Sequence, residues 1–126
     1  VPHALVTRAA WLSLFGQLIA NTDMHPGNLS FIVCGAQVSG LAPSYDMLPA
    51  QYAGRRGHLA AVTFKPRTPS PADAAIWEEA SAAALELWQR VAAHPLVSVD
   101  FRRVATQNAQ AVEAYRRAGR LLPVVR

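Results

Sequence analysis

The chain has 126 residues, of which 52% are apolar and 16% charged, with a formal net charge of +4 and one cysteine, Cys34. This balance excludes an intrinsically disordered chain and supplies enough apolar side chains for one hydrophobic core. A lone cysteine rules out an intrachain disulfide and suits a reduced, cytoplasmic setting. No apolar run approaches the roughly 18 residues of a membrane span, and no cleavable signal pattern leads the chain.

From His3 to Ala20, the residues Leu5, Val6, Ala9, Leu12, Phe15, Leu18 and Ile19 recur at helical spacing, which predicts a buried helix running into a loop over 21–28. Pro26 and Gly27 prevent continuation, because a proline pushes its predecessor out of the helical region. Leu29–Val33 and Gln37–Leu41, separated by Cys34-Gly35-Ala36, read as the two short strands of a hairpin. Residues 43–71 are loop-rich, with Pro49, Gly54, Gly57, Pro66 and Pro69, and only Leu59–Phe64 reads as a strand or docked segment. An irregular stretch of that length is uncommon in a compact domain and is either functional or a surface connection.

Ser70-Pro71 reads as the N-cap and first residue of a helix reaching Ala93, with Asp73 at the positive end of its dipole. Its apolar stripe is Ile76, Ala80, Ala83, Ala84, Leu87, Trp88 and Val91. Ser98 and Asp100 open a last helix with Phe101, Val104, Ala105, Asn108, Val112 and Tyr115 facing inward, and Gly119 is expected to end it at a C-cap. Both later helices are expected to pack on the first, and Trp11, Trp77 and Trp88 to lie in the core. The predicted fold is mainly α with one small β-hairpin.

The chemistry concentrates in Asn21-Thr22-Asp23-Met24-His25-Pro26-Gly27-Asn28 and in Tyr45-Asp46. Asp23 leaves a helix into a loop, where a carboxylate can orient a hydroxyl, or take its proton, for in-line attack on a phosphate. Asn28 offers an oxygen to a hard cation, and Asp46 arrives from the far end of the hairpin to bridge the same ion. Magnesium is ordinarily held by one or two carboxylates, phosphate oxygens and water. Singly, Asp23 and Asn28 are also ordinary cap and turn residues. His25 reads either as a catalytic group or as a hydrogen bond that holds the loop, and Tyr45 as packing beside Asp46. The basic groups (Arg55-Arg56, Lys65 with Arg67, Arg102-Arg103, Arg116-Arg117 with Arg120) suit a nucleotide, phosphoprotein or nucleic-acid partner, or simply a solvated surface.

Protein kinases carry H-R-D-x-x-x-x-N, two short strands and then a magnesium-binding aspartate. Asp23-x-x-x-x-Asn28, the predicted hairpin and Asp46 follow that order. His25 follows the acid instead of preceding it, and Tyr45-Asp46-Met47 replaces Asp-Phe-Gly. With these departures, Asn21 to Phe31 and Leu41 to Pro49 closely resemble the HipA family of bacterial serine/threonine kinases, toxins of type II toxin–antitoxin modules, and look most like its YjjJ-type subgroup. The resemblance implies a kinase-like C-terminal lobe over residues 1–126, with Asp23 as the catalytic aspartate, Asn28 and Asp46 as magnesium ligands, and His25 supporting the catalytic loop or contacting phosphate. It also implies ATP as phosphate donor, a protein substrate such as an aminoacyl-tRNA synthetase, and a DNA-binding antitoxin as partner. Arg55, Arg56, Lys65 and Arg67 would then lie in the substrate-facing segment that follows the metal aspartate.

A kinase also needs a glycine-rich phosphate-covering loop and a lysine from an N-terminal lobe. No such loop occurs here, and Lys65 comes after the catalytic segment, in the wrong order. The chain, which opens at Val1-Pro2 in a helical pattern, therefore reads as a fragment of a longer protein and is expected to be catalytically silent alone. Two other readings are a metal-dependent nuclease using Asp23, His25 and Asp46, and a non-catalytic interaction module for dimerisation or antitoxin docking.

Overall fold

The computed structural model describes residues 2–22, 29–54 and 62–121. Among them are helix α1 (His3–Leu18), strands β1 (Phe31–Cys34) and β2 (Gln37–Leu41), and helices α2 (Trp77–Ala93) and α3 (Val99–Arg120). Short 3₁₀ turns occupy Ala50–Tyr52 and Pro71–Asp73. The chain is thus mainly α with one antiparallel hairpin. No helix among the described residues is long and apolar enough to cross a membrane.

Helix α2 is the central element. Its buried Ala80, Ser81 and Ala84 are small, so neighbouring helices can approach closely, and both α1 and α3 pack on it. This corrects the expectation that α1 would be the hub. Helix α1 scatters its polar residues, Thr7, Arg8, Ser13 and Gln17 among them, around its circumference, so its sequence pattern selects no single face. Only its C-terminal half is buried, through Leu14 and Leu18, and Val6 near its start is 52% exposed.

Trp88 closes the core and is completely buried. Its indole Nε1 donates to the Leu18 carbonyl at 2.9 Å, joining α2 to the last turn of α1. The rings of Tyr52, Phe64 and Phe101 surround it at centroid distances of 6.4, 5.9 and 6.3 Å. The buried Asn108 amide donates to the Tyr52 hydroxyl at 2.8 Å, so this polar pair is satisfied inside the core. Trp11 and Trp77 are only partly buried against that core. Of the predicted 59–64 segment, residues 62–64 are described; they form no strand, and Val62 and Phe64 dock on the core.

Several boundaries differ from the sequence expectation. Strand β1 starts at Phe31, and the hairpin carries a bulge: Ile32 pairs with Gly40 and Val33 with Val38, leaving Ser39 extra. The Ser39 hydroxyl donates to the Ile32 carbonyl at 3.2 Å, and Gly35 turns the hairpin at φ +64°. Helix α2 starts at Trp77 instead of Pro71. The Asp73 carboxylate folds back to accept from the Ser70 N–H at 3.0 Å and hydroxyl at 3.1 Å, which closes a separate turn before the helix.

Gly119 does not terminate α3, which continues to Arg120. A Cβ at this position would stand 2.6 Å from the Trp77 ring, so glycine is needed for close approach of the two helices. Gly119→Ala is therefore expected to destabilise the fold by about 1–2 kcal/mol, because overpacking exceeds the helix-propensity gain. A lower urea midpoint with an unchanged slope would show it.

Candidate active site

Asp46 is the predicted site residue that the structure describes. Asp23, His25 and Asn28 lie outside the described residues, as do Arg55 and Arg56. The surroundings of Asp46 are built from the end of α1. There the Asn21 N–H donates to the Gly16 carbonyl at 2.8 Å and the Ala20 N–H to the Gln17 carbonyl at 3.3 Å, a Schellman closure. It places Ala20 at φ +60°, where glycine is usual and alanine costs about 1–2 kcal/mol.

That turn sets two anchors for the segment that carries Asp46. The buried Asn21 side chain donates through Nδ2 to the Asp46 backbone carbonyl at 3.1 Å and also approaches Met47 Sδ at 3.6 Å. Five residues beyond Asp46, the Gln51 N–H donates to the Ala20 carbonyl at 3.0 Å. Tyr52 then enters the aromatic core, so the segment is held at both ends and cannot drift from the exit of α1.

Asp46 itself sits at φ +55°, in the left-handed region that aspartate tolerates better than most residues. The Leu48 N–H donates to its carbonyl at 3.1 Å, a tight three-residue turn. Its carboxylate is exposed and bonds to no other described residue. Strained backbone persists where surrounding structure over-determines it, often at functional sites. A free carboxylate on such a backbone fits a hard cation that takes one or two carboxylates. Among the described residues there is no cluster of three or more His, Cys, Asp or Glu side chains. Tyr45, beside the acid, is 43% exposed. Cys34, in the hairpin turn region, is exposed.

A second polar cluster follows in the chain. Arg67, read from the sequence as either substrate-facing or solvated, grips Asp73 with two bonds of 2.8 and 3.1 Å. Burial works to raise the Asp73 carboxyl, yet the bonds from Arg67 and Ser70 outweigh it and hold the group below the usual carboxylate range. The same bond raises the Arg67 guanidinium. The pair therefore contributes stability above the unfolded carboxylate pKa of about 4, and that contribution is lost as pH falls through the lower folded value.

Beside this pair, the buried Tyr115 hydroxyl has no hydrogen-bond partner among the described residues. Burial, reinforced by the Asp73 charge, pushes its pKa up to about 12. The folded phenol thus holds its proton more tightly than the unfolded one, whose pKa is about 10, so stability is expected to decline from about pH 10 to about 12. Tyr115→Phe should remove that decline and stabilise the chain by about 1 kcal/mol at pH 7, by deleting an unsatisfied buried hydroxyl. Urea unfolding of both chains at pH 7 and pH 11 measures each effect.

Sequence reasoning missed Ala20, Gln51 and the Arg67–Asp73 pair, and assigned Asn21 no role. The available signal for Asn21 was its place two residues before Asp23, which H-R-D gives to histidine.

The family profile described as HipA-like C-terminal domain matches residues 2–117. Toxin YjjJ of Escherichia coli (strain K12) is 37% identical over 108 residues, covering 85% of this chain and 24% of the toxin. The chain therefore spans about a quarter of the length of that curated relative. No solved structure matches it.

Proposed function

The chain belongs to the HipA-like C-terminal domain family, and from that premise we propose that it is the C-terminal catalytic lobe of a toxin serine/threonine kinase. Its activity is phosphoryl transfer from ATP to a protein hydroxyl. The nucleotide-binding lobe belongs to the rest of a longer, cytoplasmic polypeptide, and residues 1–126 alone are silent. The toxin's partner is a DNA-binding antitoxin, and its target is a translation component such as an aminoacyl-tRNA synthetase.

The observation that carries this reading is the bond from Asn21 to Asp46. It brings the metal-type aspartate to the residue two places before Asp23, the convergence a phosphoryl-transfer site needs. Asp23 orients the acceptor hydroxyl and takes its proton, while His25 steadies the loop or contacts phosphate. Asn28 and Asp46 would hold magnesium, which would supply neutralisation of the charge developing on the phosphates. Asp46, on its left-handed backbone, carries an exposed carboxylate that would be available to such an ion.

The test is label transfer from γ-labelled ATP by a polypeptide that joins residues 1–126 to its nucleotide-binding lobe. Magnesium-dependent labelling of protein serine or threonine is expected, with loss in Asp23→Asn. Absence of labelling, with metal-dependent cleavage of DNA or RNA by residues 1–126 alone, would replace the kinase reading with the nuclease one. Phosphoryl transfer by the isolated 126 residues would overturn the two-lobe requirement.

A further inference from the structure

Resting on the kinase-lobe reading, we propose that Asn21 is a positioning residue: it sets the backbone of Asp46, and through it the carboxylate, for metal binding. The side chain of Asn21 is 5% exposed and donates to the Asp46 carbonyl across 25 positions of sequence. That carbonyl also accepts from Leu48, so two donors converge on one oxygen and lock the peptide that follows Asp46. Such a lock matters because Asp46 occupies the left-handed region, from which an unrestrained aspartate would relax. Relaxation would rotate the Cα–Cβ direction and turn the carboxylate away. In H-R-D the position two residues before the acid is histidine, another side-chain donor, whereas in this chain the histidine follows the acid. The amide of Asn21 takes that place, and the Schellman turn at Ala20 aims it, since Asn21 provides both the closing N–H of the turn and the bond to Asp46.

The experiment uses the 126-residue chain with manganese alone as the probe, followed by electron paramagnetic resonance, and amide hydrogen exchange at Leu48. Asn21→Ala is expected to weaken manganese binding about tenfold, the usual scale for losing a group that orients a metal ligand. The same variant should speed exchange at Leu48, and Asn21→His, which restores a donor, should recover most of both. Val112→Ala, at a completely buried position of α3, loosens the core without touching the Asn21–Asp46 bond and should weaken manganese binding far less than Asn21→Ala. If Asn21→Ala binds manganese like the parent while Asp46→Ala does not bind, the positioning role is overturned and the kinase-lobe reading stands. If Val112→Ala weakens binding as much as Asn21→Ala, the effect is general stability and the positioning role again falls. If Asp46→Ala binds as tightly as the parent, the metal role of Asp46 is lost and both readings fall with it.

Discussion

Asp46→Gly is expected to make the chain more stable and the kinase inactive. Glycine occupies φ +55° freely, so the substitution relieves about 1 kcal/mol of backbone strain, and the lost carboxylate bonds to no other described residue. Thermal unfolding of residues 1–126 should therefore show a midpoint raised by a few degrees, on the scale of about 4–8 °C per kcal/mol for a small domain. In the two-lobe polypeptide the same change should lower the rate of phosphoryl transfer by about 1,000-fold. The metal's contribution to the transition state is several kcal/mol, and each 1.4 kcal/mol is tenfold in rate. Asp46→Ala should lose as much activity without the gain in stability, since alanine does not relieve the left-handed strain. The opposed signs make the pair diagnostic: a residue retained only for structure would lose stability on becoming glycine. Steady-state rates over a magnesium titration, beside the two melting curves, decide the matter.

Trp88→Ala is expected to cost about 3–5 kcal/mol, the range for deleting a large buried aromatic side chain. Three losses combine here: the completely buried ring, its packing against Tyr52, Phe64 and Phe101, and the bond that satisfies the Leu18 carbonyl. Small domains hold about 5–15 kcal/mol in total, so this one change consumes a large part of the margin. Trp88→Phe keeps most of the burial but strands the carbonyl, and should cost about 1–3 kcal/mol. Urea unfolding, followed by far-ultraviolet circular dichroism, separates the two variants. The consequence reaches the site, because Trp88 supports both anchors of the Asp46 segment: the end of α1 through Leu18, and Tyr52 through ring contact. A folded Trp88→Phe chain should therefore show faster amide exchange at Leu48 and Gln51 before any global unfolding.

Much of the scaffold was legible where periodicity is strong. Helix α3 buries Ala105, Asn108, Val112 and Tyr115 as its spacing predicts, and α2 buries Ala80, Ala84 and Trp88, with Ile76 buried just before its first residue. The hairpin followed from β-branched and aromatic residues on either side of Gly35. Helix α1 was legible as a helix only, because a segment whose polar residues are scattered over several sides announces no preferred neighbour. Gly119 looked like a cap, since the local pattern contains no sign of the Trp77 ring that crowds any side chain there. Asp73 looked like a dipole partner and became a buried ion-pair member, because Arg67 folds onto it.

For the candidate site, the local order of Asp23, Asn28, hairpin and Asp46 is a property of the chain itself, and it suffices to name a chemistry and a family. Which groups hold Asp46 in place is not such a property. The amide of Asn21, the carbonyl of Ala20 and the indole of Trp88 bond to Asp46, Gln51 and Leu18, partners 25 to 70 positions away that only the folded chain brings within reach. Residue type and spacing determine which side chains can do the chemistry. Packing alone decides which neighbour restrains them, since hydrogen-bond partners distant in sequence are chosen by the geometry of closed helices and not by the pattern that formed them.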